Sequence, residues 1–513
     1  MRKLINLSSR VLHCISLLAI GFLPTEAQQS SMADKRSCIR CQELKELDLP
    51  DVRILSALSS EENYSHCKVL GVISKEINFE LLLPDDWNGR FLMSGGGGFV
   101  GSIQNGARAR TKDGYATAGT DTGHKGPGIK ADWALNHMER MVNFGHLAVH
   151  RTAVTSKAII AKYYCSKPEY SYFMGCSRGG GQALIEAQRY PNDFNGIVAG
   201  APIIDWPATG AEFIQNTRAL FPDPSQIDRA LISPAQVELL EAQIFKQCDD
   251  LDGLKDEILN DPRDCEFDFS GLPACEEGGS SELCFTLAQI AVLKKIYQGP
   301  RIEGKSLYPG FPYGCENQPG GWGAWISGPN EGAMELNFPS LHFAFGTEMF
   351  KYLIFQDPKW DYSKYDFSNF ERDTRFAASF LNAGSTNYES FNNQGGKLII
   401  WHGWNDHALS AFTAIDHFNE VNKNESNADD FLRLYLIPGM LHCGGGTGPG
   451  QADWLQAISD WVENGQAPHK VVVSKTEGNE ILMTRPLFPY PSTAVYDGKG
   501  DPNEESSFVE KTP

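Results

Sequence analysis

One stretch of the sequence, residues 172–184, constrains the fold more than any other. It reads YFMGCSRGGGQAL and places Ser177 between Gly175 and Gly179. A nucleophilic serine on a strand-to-helix turn needs small residues two positions before and after it, because the turn is crowded. Here YSYFM supplies a strand and GGGQALIEAQRY supplies a helix. The pattern predicts the nucleophile elbow of an α/β-hydrolase, with a purely structural glycine turn as the alternative.

The rest of the chain alternates strand-like and helical segments, with one long interruption. Helical stretches such as 145–164 separate short apolar runs, which lie at 77–84, 90–94, 115–120, 170–175 and 196–202. Such alternation favours a mostly parallel sheet flanked by helices. Between about 205 and 385 the sequence is rich in Gly, Pro and aromatic residues, and the alternation resumes at 395. We therefore expect an α/β-hydrolase core, residues 28–204 and 386–513, with a large lid domain inserted at 205–385.

The N-terminus and the net charge limit where the protein acts and on what. A basic start, MRKLINLSSR, precedes the thirteen-residue apolar run VLHCISLLAIGFL and a small-residue exit near Ala27. This pattern predicts a signal peptide at 1–27 and a secreted or periplasmic protein, and no later stretch is apolar enough to span a bilayer. The formal charge of −19 argues against nucleic acid or an anionic membrane as partner.

A serine nucleophile needs a base and an orienting acid, which follow it in this fold in the order Ser, Asp, His. The loop HGWNDHAL after the strand KLIIW carries Asp406, and the loop GMLHCGGG after the strand LRLYLIP carries His442. We therefore predict the triad Ser177, Asp406 and His442. His402 and His407 compete for the role of base, but they share a loop with Asp406 and are interpreted as packing or substrate-side residues.

Cysteines adjoin two of these three residues. Cys176 precedes Ser177, and Cys443 follows His442. A disulfide holds its Cα atoms within about 4.4–6.8 Å, so a bridge between them would keep nucleophile and base together across more than half the chain. Two separate buried thiols are the alternative. Of twelve cysteines, Cys14 leaves with the signal peptide, so the odd remainder leaves at least one unpaired in an oxidising compartment.

Blocks spread over nearly the whole mature chain share one resemblance. They are CQELKELDLPDVRI, WNGRFLMSGGGGFVG, GTDTGH, SYFMGCSRGGGQALIEAQRYPNDFNGIVAGAP, CDDLDGLKDEIL, PGMLHC and TRPLFPYPSTAVYDGKG. Together with the arrangement Cys-Ser, Asp and His-Cys, they resemble the tannase and feruloyl esterase family, which also contains mono(2-hydroxyethyl) terephthalate hydrolase. The resemblance implies an α/β-hydrolase core whose inserted lid covers the pocket and supplies much of the specificity.

The resemblance also implies an oxyanion hole. The residue after the nucleophile, Arg178, gives one backbone N–H, and the glycine loop SGGGGFVG gives the second at Gly98. Two such donors stabilise the charge that develops during acyl transfer. The loop lacks the Gly-Lys-Ser/Thr ending of a phosphate-binding loop, which disfavours nucleotide binding.

A second site is indicated by residues 248–265, CDDLDGLKDEILNDPRDC. Acidic oxygens suit Ca²⁺, and the segment resembles the family's structural calcium loop in the lid, closed by Cys248 and Cys265. The alternative is a solvated acidic turn. The resemblance implies five ligands, which are the side chains of Asp249, Asp252 and Asp256 and the carbonyls of Leu254 and Ile258.

The pairing of the remaining cysteines is less completely determined. Cys275 and Cys284 can close a short lid loop, and Cys41 with Cys67 matches an N-terminal bridge of the family. Three cysteines are then left over. We interpret Cys165 as a buried thiol, Cys38 as an exchange partner for Cys41, and Cys315 as unassigned.

These inferences predict a serine carboxylic-ester hydrolase acting on esters of aromatic acids, without an organic cofactor. Feruloyl and related hydroxycinnamoyl esters, free or attached to plant cell-wall polysaccharide, are the first choice. Gallate esters (a tannase) and a terephthalate monoester are alternatives within the class. Four lid aromatics are candidates to stack on the substrate ring, although core packing is their commoner role: Trp322, Trp325, Phe343 and Phe345.

Two other classes stay open. One is a metal-dependent hydrolase built on His402, His407, His442 and Asp406. The other is a catalytically silent binding protein that keeps the fold.

Overall fold

The structure is a computed structural model that describes residues 37–61, 64–276 and 278–513. Its centre is a nine-stranded sheet in the order β1-β2-β3-β5-β4-β6-β7-β10-β11. The predicted signal peptide, 1–27, lies outside the described residues.

The strands of this sheet come from both ends of the chain. They are β1 Val52–Ser60, β2 His66–Ile73, β3 Ile77–Pro84, β4 Arg90–Ser94, β5 Ala116–Thr120, β6 Tyr170–Cys176, β7 Gly196–Gly200, β10 Lys397–Gly403 and β11 Leu432–Ile437. Three short hairpins lie outside it, formed by β8 Arg301–Ile302 with β9 Lys305–Ser306, β12 Val471–Glu477 with β13 Glu480–Leu487, and β14 Thr493–Tyr496 with β15 Phe508–Lys511.

The sheet changes from antiparallel to parallel partway across. β1, β2, β3 and β5 pair antiparallel, whereas every pair from β5 through β4, β6, β7 and β10 to β11 is parallel. The carboxyl ends of parallel strands meet at one edge of a sheet, where α/β proteins place their ligands. The loops after β4, β6, β10 and β11 therefore converge.

Alternating side chains cover the two faces of the sheet. Along β10, Leu398 and Ile400 pack among helices on one face, while Ile399 and Trp401 pack on the opposite face with the helix Trp454–Asn464. This period of two is the geometry of a strand. Because both faces are buried, the strand is apolar throughout, as parallel strands covered by helices are.

Thirteen helices lie in the described part of the chain, besides 3₁₀ turns and two π-helical turns at Asn143–Leu147 and Met349–Ile354. Those before β10 are α1 Met138–Val142, α2 Ala148–Tyr163, α3 Arg178–Arg189, α4 Trp206–Leu220, α5 Pro234–Cys248, α6 Leu287–Gln298, α7 Trp322–Trp325, α8 Glu331–Met334, α9 Leu341–Glu348, α10 Phe370–Leu381 and α11 Glu389–Asn393. Those after it are α12 Ala411–Asn424 and α13 Trp454–Asn464.

The predicted lid falls between two neighbouring strands. β7 and β10 pair directly, and the segment between them contributes no strand to the main sheet within the described residues. Helices α4, α5, α6, α9 and α10 instead contribute most of a second apolar cluster, which includes Trp322 and Phe343 and is joined by residues on either side of the segment such as Phe144 and Leu409. The boundaries at 205 and 385 stay a prediction.

Five disulfides join the described cysteines. Four are pairs expected from the sequence: Cys41–Cys67, Cys176–Cys443, Cys248–Cys265 and Cys275–Cys284. The fifth corrects the sequence interpretation, because Cys38 pairs with Cys165. Cys165 is thus neither free nor buried, since the N-terminal segment runs past the end of α2, where the Cys38 N–H donates to the Tyr163 carbonyl. Cys315 is a buried free thiol.

Candidate active site

Ser177 occupies the turn between β6 and α3. Its φ of 62° and ψ of −122° lie outside the regions that a non-glycine residue ordinarily adopts. The turn is possible because its neighbours are glycines: a Cβ on Gly175 would lie 2.5 Å from the carbonyl carbon of Gly179, and one on Gly95 would lie 2.6 Å from the Gly179 Cα. The Ser177 N–H donates to the Gly200 carbonyl at 3.0 Å. The residues that surround the serine therefore hold it in a strained, half-buried position at the edge of the cavity.

Asp406 and His442 are joined by a short hydrogen bond. Asp406 follows β10 and His442 follows β11, and His442 Nδ1 lies 2.7 Å from Asp406 Oδ2. The other carboxylate oxygen, Oδ1, accepts the backbone N–H groups of Ala408 and Leu409 at 2.8 and 2.9 Å. The bond at Nδ1 leaves Nε2 of His442 to face the reacting groups.

The environment of Asp406 keeps it ionised although it is fully buried. Burial alone would raise the pKa of this carboxyl, but the charge of His442 and hydrogen bonds from His402 and His442 outweigh burial and lower the pKa well below the usual range. His402 Nε2 lies 3.3 Å from Asp406 Oδ2 and 2.8 Å from the Leu409 carbonyl. His402 thus supports the acid, a role that the sequence interpretation missed.

The Cys176–Cys443 disulfide ties the two loops together. Its Cα atoms are 6.0 Å apart across a sequence separation of 267 residues. Ser177 and His442 are the covalent neighbours of these cysteines and line the same cavity. The bridge therefore fixes the distance between the serine loop and the histidine loop independently of the sheet.

The cavity in front of Ser177 has a volume of about 370 Å³. Aromatic and aliphatic side chains such as Trp206, Phe213 and Met349 form most of its wall. Of the four lid aromatics singled out in the sequence, Trp325 and Phe345 line it and stack on each other with centroids 6.0 Å apart. Trp325 also meets the His442 ring edge to face at 5.0 Å.

The other two lid aromatics pack elsewhere. Trp322 is 0% exposed and Phe343 is 7% exposed, and both belong to the apolar cluster that α4, α5, α6, α9 and α10 share. Spacing in the sequence does not separate the two pairs. Long-range packing decides which face of α7 and which face of α9 meets the cavity.

Two backbone N–H groups point to an oxyanion site. Gly98 and Arg178 both line the cavity, and among the described residues neither N–H has an acceptor. Gly98 has a φ of +55°, and a Cβ there would lie 2.4 Å from the Gly128 carbonyl oxygen. Only glycine fits this position without moving the backbone.

The side chain of Arg178 was not part of the sequence prediction. It is 1% exposed, and its Nη2 donates to the carbonyls of Phe144 and Gly145. Its Nε and Nη1 have no hydrogen-bond partner in the part of the chain that the structure describes. A guanidinium therefore lies buried behind the N-terminal turn of α3.

The acidic loop at 249–258 gathers oxygens, as calcium binding requires. Asp252 accepts loop N–H groups at both carboxylate oxygens, and Asp249 and Asp256 each do so at one. Burial raises the pKa of Asp249, and the charges of Asp256 and Asp252 raise it further. Within the described residues no hydrogen bond occupies the carbonyls of Leu254 and Ile258. The donor set fits a hard cation. One of its oxygens, Asp256 Oδ2, also accepts a hydrogen bond from Nη2 of the buried Arg485.

A second acidic group lies on α2, on α3 and in the loop that follows α3. Ligating atoms of His150, Glu186 and Asp193 lie within 4.8 Å of one another, so the group is able to hold a metal ion. His150 Nδ1 is 2.6 Å from Asp193 Oδ2, and the Lys157 ammonium donates to the Asp193 carbonyl. Burial raises the pKa of Glu186 well above its usual value, with contributions from Asp193. The charge of Lys157 partly offsets this rise, and among the described residues neither carboxylate oxygen of Glu186 has a hydrogen-bond partner.

No helix among the described residues has both the length and the apolar character needed to cross a membrane.

Comparison with known proteins agrees with this geometry. The protein-family model described as tannase and feruloyl esterase matches residues 63–510. The chain is 33% identical to a probable feruloyl esterase of Arthroderma benhamiae, over 83% of this chain and 81% of the relative. It is 30% identical to the mono(2-hydroxyethyl) terephthalate hydrolase of Piscinibacter sakaiensis, over 86% and 84%.

A solved structure resembles the whole fold. Feruloyl esterase B from Aspergillus oryzae superimposes with a TM-score of 0.81 at 26% identity, covering 92% of this chain and 99% of that one. The fold is therefore that of an α/β-hydrolase, as the sequence predicts. The chain belongs to the tannase and feruloyl esterase family, and it is an esterase.

Proposed function

We propose that the protein is a serine carboxylic-ester hydrolase that cleaves esters of aromatic acids, with feruloyl and related hydroxycinnamoyl esters as its preferred substrates. One observation carries the proposal: Ser177, the hydrogen-bonded pair of His442 and Asp406, and two N–H groups without acceptors all border one aromatic cavity. These are the parts that acyl transfer through a serine requires.

The reaction follows from the positions of these groups. Ser177 Oγ attacks the ester carbonyl carbon while His442 Nε2 accepts the hydroxyl proton, and the N–H groups of Gly98 and Arg178 stabilise the oxyanion. The tetrahedral intermediate then collapses, His442 returns the proton to the departing alcohol, and the acyl group stays on Ser177. Water repeats the sequence, with His442 as base, and releases the acid. Asp406 holds the imidazole in the required tautomer and stabilises its charged form.

The cavity supports an aromatic acyl group. Trp325, Phe345 and Trp206 present ring surfaces, and aromatic rings gain stacking energy beyond the burial of their area. The named activities of the relatives, on feruloyl and terephthalate esters, fall in the same chemical class. Gallate esters and terephthalate monoesters are the alternatives within it.

The experiment that tests the proposal compares the wild type with Ser177→Ala on methyl ferulate, methyl gallate and mono(2-hydroxyethyl) terephthalate. We expect Ser177→Ala to lose about three or more orders of magnitude in kcat with an unchanged melting temperature, because only binding and the oxyanion hole remain. If methyl ferulate gives the highest kcat/KM of the three esters, the result supports feruloyl esters as the preferred substrates. Abolition of activity by a chelator, with Ser177→Ala still active, would instead favour a metal-dependent hydrolase, and no turnover of any ester would favour a binding protein.

We further propose that the loop 249–258 binds a structural Ca²⁺ through Asp249, Asp252, Asp256 and the carbonyls of Leu254 and Ile258. The oxygen-only donor set supports this assignment. When bound, the ion supplies charge neutralisation to the loop and takes no part in the reaction. The disulfide Cys248–Cys265 closes the segment, so the loop is held in place from both ends.

The division into domains and the location are also proposals. We assign residues 205–385 to a lid, 28–204 and 386–513 to the core, and 1–27 to a signal peptide that directs export. The five disulfides support an oxidising compartment, outside the cell or in a periplasm.

A further inference from the structure

The Arg178 side chain combines three features that each cost stability. It is 1% exposed, and removing a charge from water is unfavourable. Among the described residues it forms no ion pair, and its Nε and Nη1 have no hydrogen-bond partner. It is also the first residue of α3, where the helix dipole is positive and a cation is disfavoured.

The surroundings hold the guanidinium without neutralising it. Its Cζ lies 4.5 Å from the centroid of the Phe144 ring and 5.4 Å from that of Trp206, and Nη2 donates to two carbonyls of the π-helical turn. Burial lowers the pKa of Arg178 to about 9, so the group remains charged at neutral pH. Ring faces and carbonyl dipoles leave a full positive charge inside the protein.

A negative charge at the start of α3 would offset the cost of burying this charge and the cost of placing it at the positive end of the helix. The proposed reaction creates one there, because the oxyanion forms against the backbone N–H of this same residue. We propose that the buried guanidinium of Arg178 stabilises the oxyanion through its charge, in addition to the backbone N–H. This inference rests on the proposed serine mechanism and adds to it a side chain outside the triad.

The size of the effect follows from distance. The guanidinium and the N–H belong to one residue, so the charge lies within about 10 Å of the oxyanion, and an effective dielectric constant of about 20 gives roughly a 15-fold effect on rate. The oxyanion exists only along the reaction path, so the effect falls on kcat rather than KM.

A purely structural role makes a different prediction. If Arg178 only anchors the turn at Phe144 and Gly145, its replacement lowers stability and disturbs every ligand of the cavity alike. A charge effect instead weakens anionic ligands selectively. The two roles are therefore separated by comparing an anionic tetrahedral adduct with a neutral ligand of similar shape.

The test uses R178Q, which keeps a donor for the carbonyls but lacks the charge, together with R178K. R189Q is the matched control, since Arg189 lies on the same helix, is exposed and also donates to a carbonyl, that of Ser379. Readouts are kcat and KM on methyl ferulate, the melting temperature, and inhibition by phenylboronic acid, which forms an anionic adduct with serine, and by neutral cinnamamide.

We expect R178Q to lose about 15-fold in kcat and in boronate affinity, with KM, cinnamamide affinity and melting temperature near those of the wild type. R189Q should match the wild type. The inference is overturned if R178Q keeps kcat within about threefold, or if both inhibitors weaken together as the melting temperature falls. If R178Q does not fold, R178K decides: boronate affinity within about fivefold of the wild type supports a charge effect, and a larger selective loss contradicts it.

Failure of the underlying mechanism gives another pattern. If Ser177 is not the nucleophile, phenylboronic acid does not inhibit even the wild type, and Ser177→Ala keeps its turnover. If only the inference about Arg178 fails, phenylboronic acid still inhibits the wild type and Ser177→Ala still loses its turnover, but R178Q keeps the kcat of the wild type.

Discussion

Removal of the Cys176–Cys443 disulfide should lower both stability and turnover. The bridge closes a loop of 267 residues, for which the chain-entropy relation gives an upper value of about 5.6 kcal/mol. Measured losses for native bridges are smaller, about 2–5 kcal/mol. Turnover should fall as well, because the bridge is the covalent link that holds the loop of Ser177 against the loop of His442.

The Cys38–Cys165 disulfide provides a matched control. It closes 127 residues, for which the same relation gives about 4.9 kcal/mol, but it lies at the end of α2, away from the cavity. Replacing both cysteines by alanine should therefore lower the free energy of unfolding by a similar amount for either bridge. Only the pair Cys176→Ala and Cys443→Ala should lower kcat.

The assay combines urea unfolding, which gives the free energy of unfolding, with kcat on methyl ferulate at a temperature where both variants are folded. Equal kcat in the two variants would refute the reasoning, because it would leave the bridge with a stabilising role alone. Peptide mapping without reduction that found Cys176 or Cys443 in another pairing would refute it more directly.

Three further changes have defined outcomes. Asp406→Asn should lower kcat by about four orders of magnitude with the fold intact. Folding depresses the pKa of Asp406, so the stability that this carboxylate contributes is complete above the ordinary aspartate pKa and is lost as pH falls through the folded value. The free energy of unfolding should therefore fall less steeply with acid pH in Asp406→Asn than in the wild type. Chelation of Ca²⁺ should lower the melting temperature of the wild type but not of Asp252→Asn, and should reduce activity on ferulate more than on a small acetyl ester; an equal loss on both esters would contradict a lid site. Trp325→Ala should raise KM for ferulate and leave the acetyl ester unchanged, whereas Trp322→Ala, in the lid core, should instead destabilise by about 3–5 kcal/mol; equal KM changes would contradict these assignments.

Local patterns in the sequence were enough to locate the strands that carry the proposed site. The runs at 90–94 and 170–175 fall on β4 and β6, because an apolar run between turn residues has few other solutions. The elbow was equally readable, since Gly175 and Gly179 are required sterically by the close approach seen around Ser177.

The Cys176–Cys443 bridge was readable from the neighbours of its cysteines, but other contacts between distant segments were not. Cys38 pairs with Cys165 because the N-terminal segment packs along the end of α2, and no local pattern encodes that path. Arg485 reaches Asp256 across 229 residues, and His402 reaches Asp406 only because the loop after β10 folds back on the strand. The direction of the Arg178 side chain depends on the π-helical turn at Asn143–Leu147, which the helical pattern of 145–164 does not reveal.

The most direct test of the central claim is covalent labelling of the nucleophile. The protein is incubated with a fluorophosphonate, digested, and the peptide that contains Ser177 is analysed by mass spectrometry. We predict one phosphonyl group per chain on Ser177, loss of esterase activity in proportion to labelling, and no labelling of Ser177→Ala. Full activity with no adduct, or an adduct on a different serine with Ser177 unmodified, would contradict the account.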